Sequence, residues 1–284
     1  MAVVALLTFA LIDLAPGSYL DELALNPQIS SAMLARMRVQ YGLDQPFYRK
    51  FWQWGRSVAA GDFGYSLVYQ RPIRELVAER LWNTVRLNLL ALTMAWIVGL
   101  ALGLLAAAAR GSPVDWTITG VTTVLLSTPA VVLAVVLFAS AARFGVPLGA
   151  VFLPVTAVAA VWLPAIARHT RAAVLAALAA PHMLAARARG VGRGRLLMVH
   201  ATREALNPLT SLLGVSIAGL LSASLPVEVI MSWPGIGQLT FDAVLKRDLF
   251  LVVDLVQLSA LLLLAGNAMS DILLHTLDPR IARP

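Results

Sequence analysis

The residues best suited to chemistry form a basic, glycine-containing stretch in the second half of the chain. Positions 168–204 hold seven arginines and one glutamate, a net +6 of the whole chain's +7. Alanine and arginine favour helix up to Arg189, and the glycines from Gly190 to Gly194 interrupt it. We therefore expect a short helix, a glycine turn and a second short helix, an arrangement suited to docking on another protein. The alternative is a positive loop that only fixes membrane topology.

Patterns typical of catalytic sites are missing. The sequence has no His-Glu-x-x-His, no Gly-x-Ser-x-Gly and no cysteine, and its four histidines form no ligand-like pair. The alternating glycines from Gly190 lack the preceding strand of a dinucleotide fingerprint. A Walker A site needs Gly-Lys before Ser or Thr, whereas Lys50 follows Arg49 and Lys246 follows Leu245. We expect no catalytic residues, no metal and no cofactor on this chain, and energy supplied from elsewhere.

The elements that position these residues are membrane helices. The chain of 284 residues is 59% hydrophobic and only 13% charged, against about 25% charged in a soluble domain. A helix needs about 20 apolar residues to cross the bilayer core. Asp254 interrupts one candidate, and the first is short, so we expect its true start upstream of Met1. The six predicted spans are Met1–Ala15, Leu87–Ala109, Trp116–Ala142, Phe144–Ala167, Ala205–Val227 and Leu249–Ser270. The predicted class is all-α, a polytopic membrane protein with about six transmembrane helices.

Arginine and lysine in the short loops predict the orientation. One side holds ten basic residues, from Arg110 to Arg283, and the opposite short loops hold three. The richer side is expected to be cytoplasmic, with both termini inside. The predicted domains are a first membrane helix (1–16), an extracytoplasmic insert (17–80), a five-helix core (81–275) with a cytoplasmic loop (180–204), and a cytoplasmic tail (276–284).

The outer segment 17–80 has the pattern of a small helical insert. Ile29–Tyr41 has helical periodicity, and Pro46–Ala60 is amphipathic, with Phe47, Phe51 and Trp54 at helix spacing. Residues 61–64 predict a tight turn in which glycine supplies a positive φ.

Polar residues inside the spans are candidates for a substrate pathway, because such groups are costly in lipid unless they face protein or water. The alternative for the serines and threonines is helix–helix adhesion. For Asp254 the alternatives are a water-exposed or snorkelling carboxylate and a contact for a cationic substrate group. Pro129 and Pro164 are expected to bend their helices. The candidate pathway residues are Asn88, Ser127, Thr128, Ser222 and Asp254. The outer-loop residues Trp233, Pro234 and Gly235 are expected at the membrane interface or in a structural re-entrant turn.

Several motifs in order resemble one family, the membrane permease subunits of binding-protein-dependent ABC importers of the dipeptide, oligopeptide and nickel class. Four residues depart from the family pattern. Glu204 stands where Asn is usual, and Asn207 precedes a proline where an apolar residue is common. Trp82 stands where Pro usually precedes Asn-Thr, and Arg86 where an acidic residue is frequent. The matching motifs are Leu14-Ala15-Pro16-Gly17, Tyr41-Gly42-Leu43-Asp44-Gln45-Pro46, Gly61-Asp62-Phe63-Gly64-Tyr65-Ser66, Asn83-Thr84, Ala185-Ala186-Arg187-Ala188-Arg189-Gly190, His200-Ala201-Thr202-Arg203, Ser232-Trp233-Pro234-Gly235-Ile236-Gly237 and Leu277-Asp278-Pro279-Arg280-Ile281.

The resemblance implies a type I ABC importer permease fold in a bacterial inner membrane. It implies a second homologous permease, two cytoplasmic ATPases that use ATP and Mg²⁺, and an external substrate-binding protein. The loop around Gly190 would be the coupling helix, docked on an ATPase. The implied coupling residues are Ala185, Ala186, Arg187, Ala188, Arg189, Gly190, Arg193 and Arg195.

The implied cargo is a di- or oligopeptide, with nickel chelates, sugars or another solute as alternatives. A secondary transporter is a further alternative, although two related halves and charges at the membrane midplane are not visible. Nucleic acid is not an expected partner, because the arginines lie beside helix ends and not on a soluble basic face.

Overall fold

The computed structural model describes residues 2–14, 19–24, 30–40, 42, 44–147 and 151–277. In this part of the chain the helices are α1 (Ala2–Leu14), α2 (Tyr19–Leu23), α3 (Ser31–Gln40), α4 (Phe47–Ala59), α5 (Ile73–Ala108), α6 (Pro113–Ser127), α7 (Ala130–Arg143), α8 (Phe152–Leu178), α9 (Pro181–Ala188), α10 (Arg193–Arg195), α11 (Thr202–Ile230), α12 (Ile236–Leu245) and α13 (Leu249–Leu277). A π-helical turn, Leu196–Ala201, joins α10 to α11. Strands β1 (Tyr65–Ser66) and β2 (Arg71–Pro72) form an antiparallel hairpin. Most of the predicted tail, residues 278–284, lies outside the described residues.

The chain divides into two compact units. The insert unit comprises Met1–Thr84 and Pro234–Leu262, and the core unit comprises Val85–Trp233 and Leu263–Pro284. Helices α5 and α13 each contribute to both units.

Three helices are long and apolar enough to cross a membrane, namely Ile73–Ala108, Phe152–Leu178 and Leu249–Ser270, and two bent pairs raise the number to five. The first helix has 13 residues, which gives a length of roughly 20 Å at about 1.5 Å per residue. That length falls short of the about 30 Å core, so the described part of this helix does not by itself supply the sixth predicted span.

The prediction that Trp116–Ala142 forms one continuous membrane helix is wrong. This segment consists of α6 and α7, which meet at an angle of 110°. Thr128 has extended backbone (φ −96°, ψ 124°) and Pro129 begins the turn into α7. A proline disfavours helical backbone at the preceding residue and has no N–H to continue the ladder, so the helix breaks here as the sequence indicated for Pro129.

The predicted span Phe144–Ala167 is displaced along the chain. Helix α8 begins at Phe152 and continues to Leu178, beyond the two arginines that marked the predicted end. One of these, Arg171, makes two hydrogen bonds of 2.7 and 2.8 Å to the buried carboxylate of Asp115 on α6. Arg171 thus lies within α8 with its charge paired, and Pro164 also lies inside this helix.

Small residues allow α5 and α8 to pack closely in the core unit. A Cβ placed on Gly99 would lie 2.8 Å from Ile166 Cγ2, and one on Gly103 would lie 2.5 Å from Thr170 Cβ and 2.6 Å from the Ala167 carbonyl oxygen. These glycines are four residues apart and face the same neighbour, as in the Gly-x-x-x-Gly contacts of membrane helices.

In the insert unit, α4 packs its aromatic face on α1, as its amphipathic pattern predicted. The Phe9 ring is fully buried and lies 5.6 Å from the Phe51 ring centroid and 5.3 Å from that of Trp54. The predicted turn after α4 is confirmed, with φ of +81° at Gly61 and +77° at Gly64.

Candidate functional site

The basic loop has the predicted helix–turn–helix form. Extended backbone at Ala180 and Pro181 at the first position begin α9, because proline lacks only an N–H that the first turn leaves unused. The helix ends at Ala188, and Gly190 has a φ of +85°. Its N–H donates to the carbonyl of Arg187 at 3.0 Å. Left-handed backbone of this kind favours glycine, which explains the residue type at the turn.

A buried apolar cluster fixes the loop to the ends of the long helices. Met183 of α9 and Leu196 of the π-turn are 3% and 0% exposed. They pack with Ala107 of α5 and with Val174 and Ala177 of α8. The loop is therefore a packed element of the core unit.

The residues predicted to dock on a partner lie mostly on the surface of this element. Ala186 is partly buried, and the rest are exposed: Ala185, Arg187, Ala188, Arg189, Gly190, Arg193 and Arg195. Arg193 also donates a hydrogen bond of 3.4 Å to the carbonyl oxygen of Ala108, at the C-terminal end of α5. The arrangement presents positive charge on a fixed scaffold, which suits an acidic or polar protein surface.

A contact between His182 and Glu204 and a cavity lie on one side of α9, and sequence reasoning missed both. His182 Nε2 lies 2.9 Å from Glu204 Oε2. The cavity of about 380 Å³ is lined by these two residues and by Met183, Ala186, Arg189, His200 and Arg203. Glu204 is one of the residues that depart from the family pattern, and its contact with His182 gives that departure a structural role.

The five candidate pathway residues occupy different environments. Asn88 is buried and donates to Ser224 Oγ at 3.0 Å, linking α5 to α11. Ser127 and Thr128 donate to carbonyl groups of their own helix at 2.9 and 2.8 Å, at the break after α6. Ser222 is exposed. The hydroxyls at the break are adjacent in the chain, whereas Asn88 is joined to Ser224 and not to the predicted Ser222.

Asp254 lies in the insert unit, and the prediction of a water-exposed or snorkelling carboxylate is wrong. Its exposure is 5%, and Oδ1 accepts a hydrogen bond of 2.7 Å from Trp54 Nε1 of α4. Oδ2 is buried without a hydrogen-bond partner in the part of the chain that the structure describes. The insert folds over the start of α13 and removes the carboxylate from water, which sequence spacing did not indicate.

A second buried carboxylate, Asp248, organises the hairpin and was not predicted. It accepts hydrogen bonds from Ser66 Oγ at 2.6 Å and from the Val68 N–H at 3.2 Å, and it precedes the first residue of α13. Burial raises the pKa of the Asp248 carboxyl, and the hydrogen bond from Ser66 lowers it in part. Aspartate directly before an apolar helix is an N-cap signal, so the sequence contained a local clue.

The outer-loop residues form a tight turn after α11. The Trp233 N–H donates to the Glu228 carbonyl at 2.8 Å. Asn83 Nδ2 donates to the Pro234 carbonyl at 2.9 Å, and Gly235 is buried at the start of α12. The side chain of the predicted Asn-Thr motif thus fixes the backbone of this turn.

Among the described residues no group of three or more His, Asp or Glu side chains is arranged to hold a metal ion. The charged groups of the basic loop are distributed over its surface.

Comparison with known proteins agrees with this architecture. Residues 99–283 match the family model described as binding-protein-dependent transport system inner membrane component. The chain is 31% identical over 299 residues to the oligopeptide transport system permease protein AppB of Bacillus subtilis (strain 168), covering 98% of this chain and 94% of that protein. It is 30% identical over 290 residues to the glutathione transport system permease protein GsiC of Escherichia coli (strain K12), with the same coverage.

Solved structures share the fold at low sequence identity. An amino acid ABC transporter crystallised with histidines gives a TM-score of 0.62 at 20% identity, over 72% of this chain and 94% of that one. The inward-facing MetNI methionine ABC transporter gives 0.55 at 20% identity, over 70% and 97%. The chain therefore belongs to the binding-protein-dependent transport system inner membrane component family, and is a multi-pass membrane permease of an ABC importer.

Proposed function

We propose that this permease forms, with a second homologous permease, the pathway by which an ATP-driven importer carries di- or oligopeptides. The proposal of a peptide cargo is supported by the similarity, over 98% of this chain, to permeases named for oligopeptide and glutathione transport. An external binding protein delivers the peptide, and two cytoplasmic ATPase subunits bind ATP and Mg²⁺. The chain itself binds no nucleotide.

The orientation and domain roles belong to the same proposal. Both termini lie in the cytoplasm, residues 17–80 form the extracytoplasmic insert, and residues 180–204 face the ATPases. The excess of arginine between positions 168 and 203 supports this orientation. Cysteine accessibility from each side of the membrane, measured at the exposed positions Ala188 and Ala60 in otherwise native protein, tests it. Labelling of Ala188→Cys from outside would contradict it.

We assign ATPase coupling to the exposed residues of α9 and the glycine turn. Closure of the two ATPases pulls on this element, and its packing against α5 and α8 carries the displacement to the spans. Asn88, Ser127, Thr128, Ser222 and Asp254 are proposed pathway residues, and Trp233–Gly235 faces the outer side. Asp254 is retained among them because one oxygen of its buried carboxylate has no hydrogen-bond partner in the described structure.

The experiment for coupling uses Gly190→Val, with Gly192→Val as its matched control. Both glycines have open space around a new Cβ, but only Gly190 has a positive φ, whereas Gly192 has φ −61° and ψ 145°. Valine is strained in the left-handed region and accommodated in extended backbone. In the reconstituted importer, Gly190→Val is expected to reduce peptide-stimulated ATP hydrolysis and uptake together, and Gly192→Val to preserve both. If Gly190→Val leaves peptide-stimulated ATP hydrolysis and uptake unchanged, the assignment of ATPase coupling to this turn is wrong.

Cargo is tested independently of coupling. Uptake of a labelled tripeptide into proteoliposomes that contain the importer and its binding protein should be competed by unlabelled peptides and not by a nickel chelate or a sugar. Competition by a nickel chelate or a sugar, and not by unlabelled peptides, would contradict the proposal of a peptide cargo.

A further inference from the structure

An open groove of about 660 Å³ lies on the other side of α9, where α5 and α8 end. Its volume is within the range of about 300–1,000 Å³ that is typical of small-molecule sites. Partly buried leucines contribute apolar lining, among them Leu175, Leu178 and Leu197. Three exposed arginines, Arg110, Arg187 and Arg193, contribute the charge. The site therefore combines an apolar lining with three positive groups.

The charge of the groove is not neutralised within the described structure. Arg193 bonds the Ala108 carbonyl, while Arg110 and Arg187 form no ion pair with a carboxylate of the described residues. Guanidinium groups form bidentate hydrogen bonds with phosphate and carboxylate groups. An anionic group attached to an apolar body fits both halves of the lining.

The apolar surface of α5 that leads to the groove favours a lipid over a protein segment as the ligand of the groove. Ile97 and Leu105 of α5 are 65% and 50% exposed, and Ala101 and Ala108 between and after them are also exposed. These positions follow one another at helical spacing of three or four residues, so they form one apolar stripe. The stripe runs along a membrane helix and ends at Ala108, which lines the groove.

We propose that the groove binds an anionic phospholipid, with an acyl chain along the α5 stripe and the phosphate among the three arginines. Basic pockets at the ends of membrane helices bind lipid headgroups in this way. The lipid would contact Leu184 and Arg187 of α9, so its occupancy would influence the position of this helix. Arg187 and Arg193 are also proposed coupling residues, so the test substitutes Arg110, which is not one of them, and measures lipid occupancy separately from ATP hydrolysis.

The test is lipid retention by the intact importer in nanodiscs of phosphatidylcholine containing phosphatidylglycerol, read by native mass spectrometry. Arg110→Gln is expected to weaken phosphatidylglycerol binding about five-fold, from the attraction of one arginine near an anionic surface. Adding Ala108→Glu should remove the remaining preference by placing a carboxylate in the groove. Arg143→Gln is the control, since Arg143 is also exposed and ends a helix, α7. Equal phosphatidylglycerol binding by native protein and Arg110→Gln would overturn the proposal.

A photo-reactive amino acid in place of Ala108 distinguishes the occupants. A cross-link to phospholipid supports the proposal, and a cross-link only to an ATPase subunit overturns it in favour of a protein contact. The melting temperature of each variant is also measured. A value equal to that of the native protein within error shows that loss of lipid does not reflect unfolding.

Discussion

Trp54 of the insert donates its indole N–H to the Asp254 carboxylate at 2.7 Å, across 200 positions of sequence. Both residues belong to the insert unit. The contact fixes α4 to the first turns of α13 and takes a charged group out of water. Burial of a carboxylate with so few partners is unfavourable by itself, so the indole hydrogen bond is expected to matter for stability.

Trp54→Phe should therefore destabilise the protein. An aromatic ring is retained, but Asp254 loses the indole N–H donor, and leaving a buried acceptor unsatisfied costs about 1–3 kcal/mol. Trp52→Phe on the same helix is the control, because Trp52 is 75% exposed. Thermal unfolding in detergent measures both. A double-mutant cycle with Asp254→Asn should give a coupling energy, and strictly additive effects would contradict the contact.

The Asp115–Arg171 pair should stabilise the junction of α6 and α8. Arg171→Gln leaves the Asp115 carboxylate without its guanidinium partner, which is the unfavourable way to break a buried ion pair. The melting temperature is expected to fall more than for Arg168→Gln, whose arginine is exposed on the same helix. Asp115→Asn combined with Arg171→Gln should recover part of the loss, because no lone charge remains. A double variant less stable than Arg171→Gln alone would count against the pairing.

Gly103→Ala should loosen the packing of α5 on α8. The added methyl would meet the backbone carbonyl of Ala167 at 2.6 Å, and overpacking of this kind costs about 1–3 kcal/mol. Gly120→Ala on α6 is the matched control, since nothing lies within 4 Å of its new Cβ. Thermal unfolding compares the two variants. If both lie at the native value, α5 and α8 do not pack as closely as described.

Asp248 should make stability depend on pH. Burial raises its pKa above the ordinary value of 3.8, so the folded state favours the protonated carboxyl. The corresponding stability is present below the ordinary pKa and lost as pH rises through the raised value. Asp248→Asn removes this titration, and its melting temperature relative to native protein should rise as pH increases from about 4 to about 7. A difference independent of pH would contradict the raised pKa, and Asp44→Asn, at an exposed position, provides the control.

Local sequence information determined several features correctly. The membrane class follows from a composition with 13% charged residues, because such a chain cannot cover a soluble surface. The helix–glycine–helix form of the basic loop follows from helix propensity and from the freedom of glycine at φ +85°. The break at Pro129 was also predictable, since proline acts on its immediate neighbours. In each case the physical cause operates within a few residues.

Tertiary structure decided the partners of the charged and small residues. The sequence identified Asp254 as unusual and placed Trp54 on an aromatic helix face, but it did not indicate that the two would pair. It also placed the end of a span before Arg171, whose charge is paired with Asp115, 56 positions earlier. The role of Gly103 depends on the position of Ala167 on another helix. Burial, pairing and close approach are properties of which surfaces meet in space, and separation along the chain does not specify them.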